Sequence, residues 1–475
     1  MPDETILVLD IGSSAVKAVL LARGGGVASQ AEAGYPSASP QPGWFEQAPA
    51  AWAAAIAQAI GRLGDLGGVA RVALTGTMQN LIALGADGTP LGPAILYSDG
   101  RAAPRLPGFT AEMARIGAAA RLGNQIDPLM CSAKLDWLRA ESPDTFAAAA
   151  MFHAGAKDVC AFLLTGAHVT DATSASTTGL MDLATRDWDA AILATLALSR
   201  DRLPRILPAD ALIGTVTPRA AARFGLPAGV PVMNGSGDAG ASTIGAGVER
   251  ASEAYVYLGT TGWVARCAPA QFPRAPLAIY TLAHPLPGLL IEIAPILSAG
   301  DCVAWATELF GAADDSEPGS EPPLFLPYLK GERSPFHDAA VRGAFLGLDR
   351  GHTRASLRQA VLEGVALAIR HNLAELGGVA GTLAALGGGA ANPAWMQTLA
   401  DIAGFPVAVP ALPVAATALG AGVLAARTLG WPPPAAPQPA LFQPRPAAAA
   451  RAARLLSRYM AASDFLRAWA RIEPD

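Results

Sequence analysis

Asp238 stands inside VPVMNGSGDAGASTIGAG, Val230 to Gly247, between a short apolar run and a small-residue helix. Glycines at 235 and 237 let the backbone turn sharply and approach a ligand closely. A helix start favours negative charge, so the sequence predicts an ionised Asp238 that is fixed in direction. On this stretch alone, capping of the helix is the simpler reading. Similar turns elsewhere in the chain alter the balance. Ile6 to Asp10 is an apolar run, followed by GSSAVK and a second apolar run from Val16 to Ala22. This predicts a hairpin whose small-residue tip exposes backbone N–H groups, with Lys17 just beyond, and such a tip suits a phosphate. Glu253 to Leu258, the GTTG turn and Trp263 to Cys267 repeat the device. Two such hairpins, one opening each half, suggest two related domains facing one nucleotide.

Two more stretches carry polar turns after apolar runs. Val69 to Leu74 is followed by TGTMQN, and open α/β sheets bind ligands at the carboxyl ends of their strands. In LAALGGGAANPAWMQTLADIAG, three glycines in succession (387 to 389) are hard to explain by packing alone. They predict a backbone passing close to something flat or charged. Asp99 and Arg101 in YSDGR read equally as a solvated turn or as contacts to a polar ligand.

The elements that must hold these turns follow from periodicity. Ala51 to Leu63 reads as a helix entered through Pro49, with Trp52, Ile56, Ile60 and Leu63 on one face. SAKLDWLRAESPDTF is an amphipathic helix with a Ser-Pro stop, and a long helix runs from about Ala355 to Leu376, offering Leu357, Val361, Val365 and Ile369 to a core. Ile402 to Ala426 is uncharged and long enough to cross a bilayer. Its prolines at 406, 410 and 413 instead predict a strand from Phe405 to Val409, a Pro turn and a buried helix from about Ala415. Pro432 to Pro446 reads as a Pro/Ala-rich connector and Ala447 to Ile472 as a terminal helix.

At 475 residues, two domains are expected. Hydrophobic residues make up 52% and charged residues 15%, and mean hydropathy is +0.32, so burial is ample. The net charge of -5 and the lack of any Lys/Arg block argue against nucleic acid as a partner. Four scattered cysteines fit a reducing cytoplasm, and six dispersed histidines offer no metal-ligand spacing. The acidic, polar start predicts no signal peptide.

Taken in order, these segments resemble the FGGY carbohydrate kinases, and within them the xylulokinase group, over nearly the whole chain. LDIGSSAVKAVLL is similar to the family's first phosphate loop, with Ser13 in place of Thr, and WFEQAPAAW to its W-x-E-Q-x-P-x-x-W block. AILYSDGR resembles a block that more often carries Trp-Asn or Trp-Gln where Tyr97 and Ser98 stand. KLDWLRAE resembles the first family signature, with Cys131 at a usually small polar or Pro position. GSGDAGA, YLGTTGWV, FLPYLKGERSPF, VLEGVALAIR and GGGAANPAWMQTLADIAG resemble the catalytic-Asp block, the second phosphate loop, the GERxP block, the second signature and the adenosine motif. Phe336 stands where xylulokinases often carry His. After the Val69 strand the group usually reads Met-His, beside the ketose, whereas this chain has Met78 and Gln79.

The resemblance implies an α/β fold with two ribonuclease-H-like domains, of the actin and hexokinase superfamily, around a deep interdomain cleft. It implies a sugar-binding domain over residues 1–240, a nucleotide-binding domain over 241–432, and a connector and helix over 433–475. The implied reaction is ATP-dependent phosphorylation of a small ketose, first of all D-xylulose at O5. Asp238 would be the general base, Met78 and Gln79 would border the sugar, and Asp10 would hold Mg²⁺ through water. Gly12, Ser13, Ser14 and Lys17 would clamp phosphates together with Gly259, Thr260 and Thr261. Gly387, Gly388, Gly389, Ala390 and Asn392 would face the adenosine. The implied partners are a small sugar and ATP, with no nucleic acid and no membrane, and a homodimer is a compatible assembly. A kinase for another ketose or polyol, or a non-catalytic ATP-binding switch, are the alternatives that the same residues leave open.

Overall fold

β1 (Thr5–Ile11) and β2 (Ala15–Ala22) form the antiparallel hairpin that the apolar runs predict, with Asp10 opposite Lys17. The computed structural model describes residues 4–270, 279–311, 321–412, 415–432 and 438–472; Pro413 and residues 433–437 lie outside them. Residues 6 to 11 of β1 are all buried, as a strand covered on both faces must be. β3 (Val27–Gly34) follows at the sheet edge, where most of its side chains reach solvent. α1 (Pro49–Gly61) starts on its proline and buries Trp52, Ile56 and Ile60. β4 (Val69–Gly76) then runs parallel to β1.

α2 (Cys131–Glu141) and α3 (Ala156–Thr165) come next, and Pro143 opens a separate short helix after the Ser-Pro stop. β5 (Leu212–Thr215) and β6 (Pro231–Gly237) complete a six-stranded sheet in the order β5-β6-β4-β1-β2-β3. α4 (Asp238–Gly245) starts where β6 ends. The GSG segment is not a free turn, since β6 runs through it with an irregular register between Met233 and Ser236. Gly235 has φ +71°, and a Cβ there would lie 1.7 Å from the Leu74 carbonyl oxygen. Glycine is therefore required by close backbone approach inside the sheet.

The second half repeats the plan. β7 (Ala254–Leu258), β8 (Gly262–Pro269), β9 (Tyr280–Ala283) and β10 (Leu289–Ile296) are antiparallel neighbours, and α5 (Gly300–Phe310) and the long α6 (Arg354–Glu375) follow. β11 (Leu383–Leu386), α7 (Pro393–Ala403), β12 (Val407–Val409) and α8 (Ala416–Thr428) come next. β13 (Ala440–Phe442) and α9 (Ala449–Trp469) end the described fold. The sheet order is β9-β10-β8-β7-β11-β12-β13. In each half, an antiparallel trio (β1-β2-β3; β7-β8-β10) adjoins two strands parallel to its first member (β4 and β6; β11 and β12). This is the duplicated ribonuclease-H-like architecture.

The stretch read as a connector contributes β13 to the second sheet, and α9 buries Leu455 and Tyr459 in the second core. Tyr328 bonds the Tyr459 hydroxyl at 2.8 Å. The 402–426 window holds a strand and a buried helix, and no described helix is long and apolar enough to cross a membrane.

α8 belongs to the second half in sequence yet lies on the first sheet, sharing a core with Ile6, Val8, Met233 and Ile244. It crosses α4 at very short range. A Cβ on Gly420 would lie 1.8 Å from the Ala241 carbonyl oxygen, and one on Gly245 would lie 2.0 Å from that of Ala416. The Ser242 and Thr417 hydroxyls bond at 2.7 Å across the same contact.

Gly420→Ala is therefore expected to destabilise the protein by about 1–3 kcal/mol or more, because the obstructing atom is backbone and cannot rotate away. Gly61→Ala, at an exposed helical position with open space around it, serves as the control and should be neutral or slightly stabilising. Equal melting temperatures for the two variants would refute the tight crossing.

Candidate active site

The tip between β1 and β2 is held from below. The Gly12 carbonyl accepts the Tyr35 hydroxyl, and Gln47 Nε2 donates to the Ser13 carbonyl at 2.7 Å. Trp52 Nε1 in turn donates to Gln47 Oε1 at 2.8 Å. Glu46, one residue earlier, pairs with Arg101 at 2.8 Å, and Arg101 lies 3.9 Å from the Trp44 ring centroid. The WFEQAPAAW block is thus the brace of the first glycine-rich loop. Asp99 and Arg101, left open between solvent and ligand by the sequence, are buried against each other at 2.8 Å. Asp99 also accepts the Phe45 N–H, so this pair shapes the wall and does not reach into the site.

Asp10, Gly12, Ser13, Ser14 and Lys17 line a cavity of about 450 Å³, and Asp238 lines it from the start of α4. Tyr257 and Trp263, stacked 4.1 Å apart, close it from the second half. Burial pushes the Asp10 carboxyl up to about 6, against the lowering effect of Lys17 and with a further rise from Glu32. Asp238 is pushed up to about 7 by burial and then by the negative charge of Asp10. The expectation of an ordinarily ionised Asp238 is corrected here. The helix start offers backbone N–H groups, that of Ala239 at 2.8 Å and Asp238's own, and these do not offset desolvation beside a second acid. Gly237, not Asp238, occupies the N-cap position. Two buried carboxylates lining one cavity, the one at 10 making the one at 238 harder to ionise, fit a hard divalent cation completed by water or phosphate oxygens. Among the described residues there is no all-protein cluster of three or more metal ligands.

A second cavity, of about 380 Å³, adjoins the first, since Ala239 and Ile293 line both. Met78 and Gln79 form one wall at the end of β4, and Tyr97 and Ser98 form another. Gln79 adopts a left-handed backbone, φ +58°, and its Nε2 donates to the Thr177 carbonyl at 3.0 Å. The second half contributes Tyr280 and Arg333, which the sequence reading did not single out as site residues. Arg333 reaches across to Asp127 at 3.0 Å, and the Tyr280 hydroxyl donates to the same carboxylate at 3.1 Å. Glu332 holds this arm in place, accepting the N–H groups of Arg333 at 2.8 Å and Leu297 at 3.2 Å. The GER motif was a signal for Arg333. Asn124 and Asp127, which also line the cavity, sit in no recognisable motif.

The third cavity, of about 670 Å³, lies on the second half between the β7–β8 turn, the start of α5 and the glycine triplet. Gly259 and Thr260 line it, while Thr261 is exposed at the tip. Gly300 and Asp301 are new here; their N–H groups donate to the Gly259 and Thr260 carbonyls at 2.8 and 3.0 Å. Packing explains more of the triplet than expected. Cβ atoms on Gly387 and Gly389 would lie 2.6 Å from the Leu258 carbonyl oxygen and 2.6 Å from the Trp395 ring. Gly388 alone meets nothing and is exposed. Ala390 is buried in the second core, and Asn392, at the cavity's edge, caps α7 through the Trp395 N–H at 3.1 Å.

Residues 5–245 match the N-terminal domain of the FGGY family of carbohydrate kinases, and residues 255–429 match its C-terminal domain. The chain belongs to the FGGY carbohydrate kinases. It is 32% identical to the xylulose kinase of Escherichia coli strain K12 over 411 residues, 83% of this chain and 84% of that one. The crystal structure of a xylulose kinase from Brucella ovis superimposes with a TM-score of 0.91 at 31% identity, covering 98% of this chain and all of that one. A gluconate kinase from Lactobacillus acidophilus gives 0.89 at 25%, covering 98% and 99%. As an FGGY kinase the protein phosphorylates a sugar at the expense of ATP. Such a transfer asks the protein mainly for positioning and charge stabilisation, and the cavity that holds both acids, with the Gln79 cavity adjoining it, provides room for that.

The raised Asp238 has a consequence for stability. Its folded carboxyl holds a proton more tightly than the unfolded one, so the ionised form costs stability. That cost is absent below about pH 4, grows between 4 and 7, and is complete above 7. Asp238→Asn should therefore melt at a higher temperature than wild type at pH 8, with the gap closing towards pH 4. A gap independent of pH, or of opposite sign, would remove the buried-carboxylate account.

Proposed function

We propose that this kinase transfers the γ-phosphoryl group of ATP to O5 of D-xylulose, giving D-xylulose 5-phosphate. The observation that carries this reading is that Asp238 lines the cavity of the first glycine-rich loop directly beside Ala239, which lines both that cavity and the one of Met78 and Gln79. Asp238 accepts the proton of the attacking hydroxyl, and a carboxyl pushed up to about 7 is matched to that task near neutral pH. The sugar lies against Met78, Gln79 and Asp238. Gly12, Ser13, Ser14 and Lys17 hold the phosphates from one side and Gly259, Thr260 and Thr261 from the other. The adenosine lies against the exposed edge of Gly388 and Gly389, with Asn392 beside it, while Gly387 and Ala390 support that edge from within. Asp10 would hold Mg²⁺ through water, and a cation bound there would supply positive charge opposite the phosphate oxygens. Residues 1–240 form the sugar-binding domain, 241–432 the nucleotide-binding domain, and 433–475 the connector and C-terminal helix. The four cysteines are buried free thiols, in keeping with a cytoplasmic enzyme.

The similarity to a gluconate kinase raises an acidic sugar as the second substrate class. Arg333, the cation of the sugar cavity, is already paired with Asp127. A neutral ketose leaves that pair intact, whereas a carboxylate would compete with Asp127 for it.

Asp238→Asn should lose roughly 10²–10⁴-fold in turnover. Asp10→Asn should raise the Mg²⁺ concentration needed for half-maximal rate; an altered sugar requirement with unchanged Mg²⁺ dependence would count against the Asp10 assignment.

The substrate is read from ATP consumption with D-xylulose, other ketoses, polyols and gluconate. A buried polar group that loses its partner costs about 1–3 kcal/mol, so Gln79→His should shift the ranking of these sugars by roughly tenfold to a hundredfold at constant ATP requirement. Preference for a compound other than D-xylulose would overturn the substrate. An unchanged ranking with altered thermal stability alone would remove Gln79 from the sugar site.

A further inference from the structure

The KLDWLRAE segment resembles a family signature, yet most of its polar residues act far from the cavities. Asp136 pairs with Arg105 at 2.9 Å and Arg139 at 3.0 Å, and Trp137 packs edge-on against Trp44. Lys134 differs. Its side chain is fully buried on α2, and its ammonium donates to the Gln79 carbonyl at 2.8 Å and the Leu96 carbonyl at 2.7 Å. Those carbonyls belong to the two walls of the 380 Å³ cavity, one carrying Met78 and Gln79, the other leading into Tyr97 and Ser98.

No carboxylate lies within ion-pair distance of Lys134 among the described residues. The charged and titratable groups around it are Cys131 on its own helix, Asp99 and Arg101 behind the Tyr97 wall, and Asp127 in the cavity lining. A buried ammonium whose bonds go to carbonyls is costly unless the geometry it enforces is needed. Here it joins two chain segments whose positions decide the width of the cavity. One of them includes Gln79, which keeps a left-handed backbone that a non-glycine residue rarely adopts.

We propose that Lys134 is a positioning residue for the sugar: by tying the Gln79 and Leu96 carbonyls to one ammonium, it sets the spacing between the Gln79 wall and the Tyr97–Ser98 wall. It touches neither substrate and acts through the backbone of residues that do. The proposal rests on the assignment of this cavity to the sugar. It gives the buried lysine of the segment a role in sugar selection, distinct from the chemical step at Asp238.

The test uses the full chain with Lys134→Met, which keeps the stem and removes both bonds, and Lys134→Gln, which keeps an N–H donor. Binding of D-xylulose without ATP is measured by calorimetry, alongside the KM for each substrate and the melting temperature. Lys134→Met should weaken sugar binding at least roughly tenfold, with the KM for ATP within about twofold of wild type, and Lys134→Gln should recover part of the loss. Should Lys134→Met fail to fold, Lys134→Gln carries the same split between sugar and ATP. Parallel loss of both substrates, or a fall in melting temperature with sugar binding intact, would overturn the proposal. If Gln79→His reorders the sugars while both Lys134 variants bind D-xylulose normally, the positioning role alone fails. If none of the three variants changes sugar recognition, the cavity assignment fails, and the proposal with it.

Discussion

Gly420 lies so near the Ala241 carbonyl that no side chain fits at that position of the α8–α4 crossing. That contact ties α8, a helix of the second half in sequence, to the helix that carries Asp238, and both rest on the first sheet. The direction in which Asp238 points is therefore set by both halves at once. A few tenths of an ångström gained or lost at this crossing would move the carboxylate relative to both glycine-rich hairpins. The glycines here serve proximity between backbones more than flexibility. The same holds for Gly235 inside β6 and for Gly387 and Gly389 against β7, where a Cβ would strike the neighbouring strand or ring.

The chemistry is bought against stability. Asp10 and Asp238 face one cavity, and burial makes each harder to ionise than a free carboxyl. A sequence optimised for stability alone would replace one of them with a neutral side chain. Keeping both makes sense where a cation and a charged phosphate chain enter between them, since the field that is unfavourable in the free protein then becomes favourable.

Several segments with family-like motifs prove to be braces. Gln47 and Trp52 hold the first loop, Arg101 is fixed by two acids and an indole, and Glu332 presents Arg333. Precise placement of a few reacting groups requires a shell of buried hydrogen bonds around them, because exposed side chains cannot hold geometry against their own entropy. Arg333 and Tyr280 add a further constraint by meeting Asp127 across the two halves, so one wall of the Gln79 cavity exists only when the halves are together.

Local chemistry was enough to read the two hairpins, the helices from Pro49 and Arg354, the strand and helix within 402–426, and Asp238 at a strand-to-helix junction. Apolar periodicity, proline stops and glycine-rich turns act over a few residues, so they are legible without the fold. Tertiary structure alone decided three things. The ionisation of Asp238 turned on burial and on Asp10, more than two hundred residues away, which outweighed the favourable helix start. Asp99 and Arg101 became wall and not ligand because Glu46 and Trp44 closed over them. Asn124, Asp127 and Tyr280 came together in the Gln79 cavity through contacts between the two halves. Each of these depends on desolvation or on pairing between distant segments, and neither leaves a pattern in the spacing of neighbouring residues.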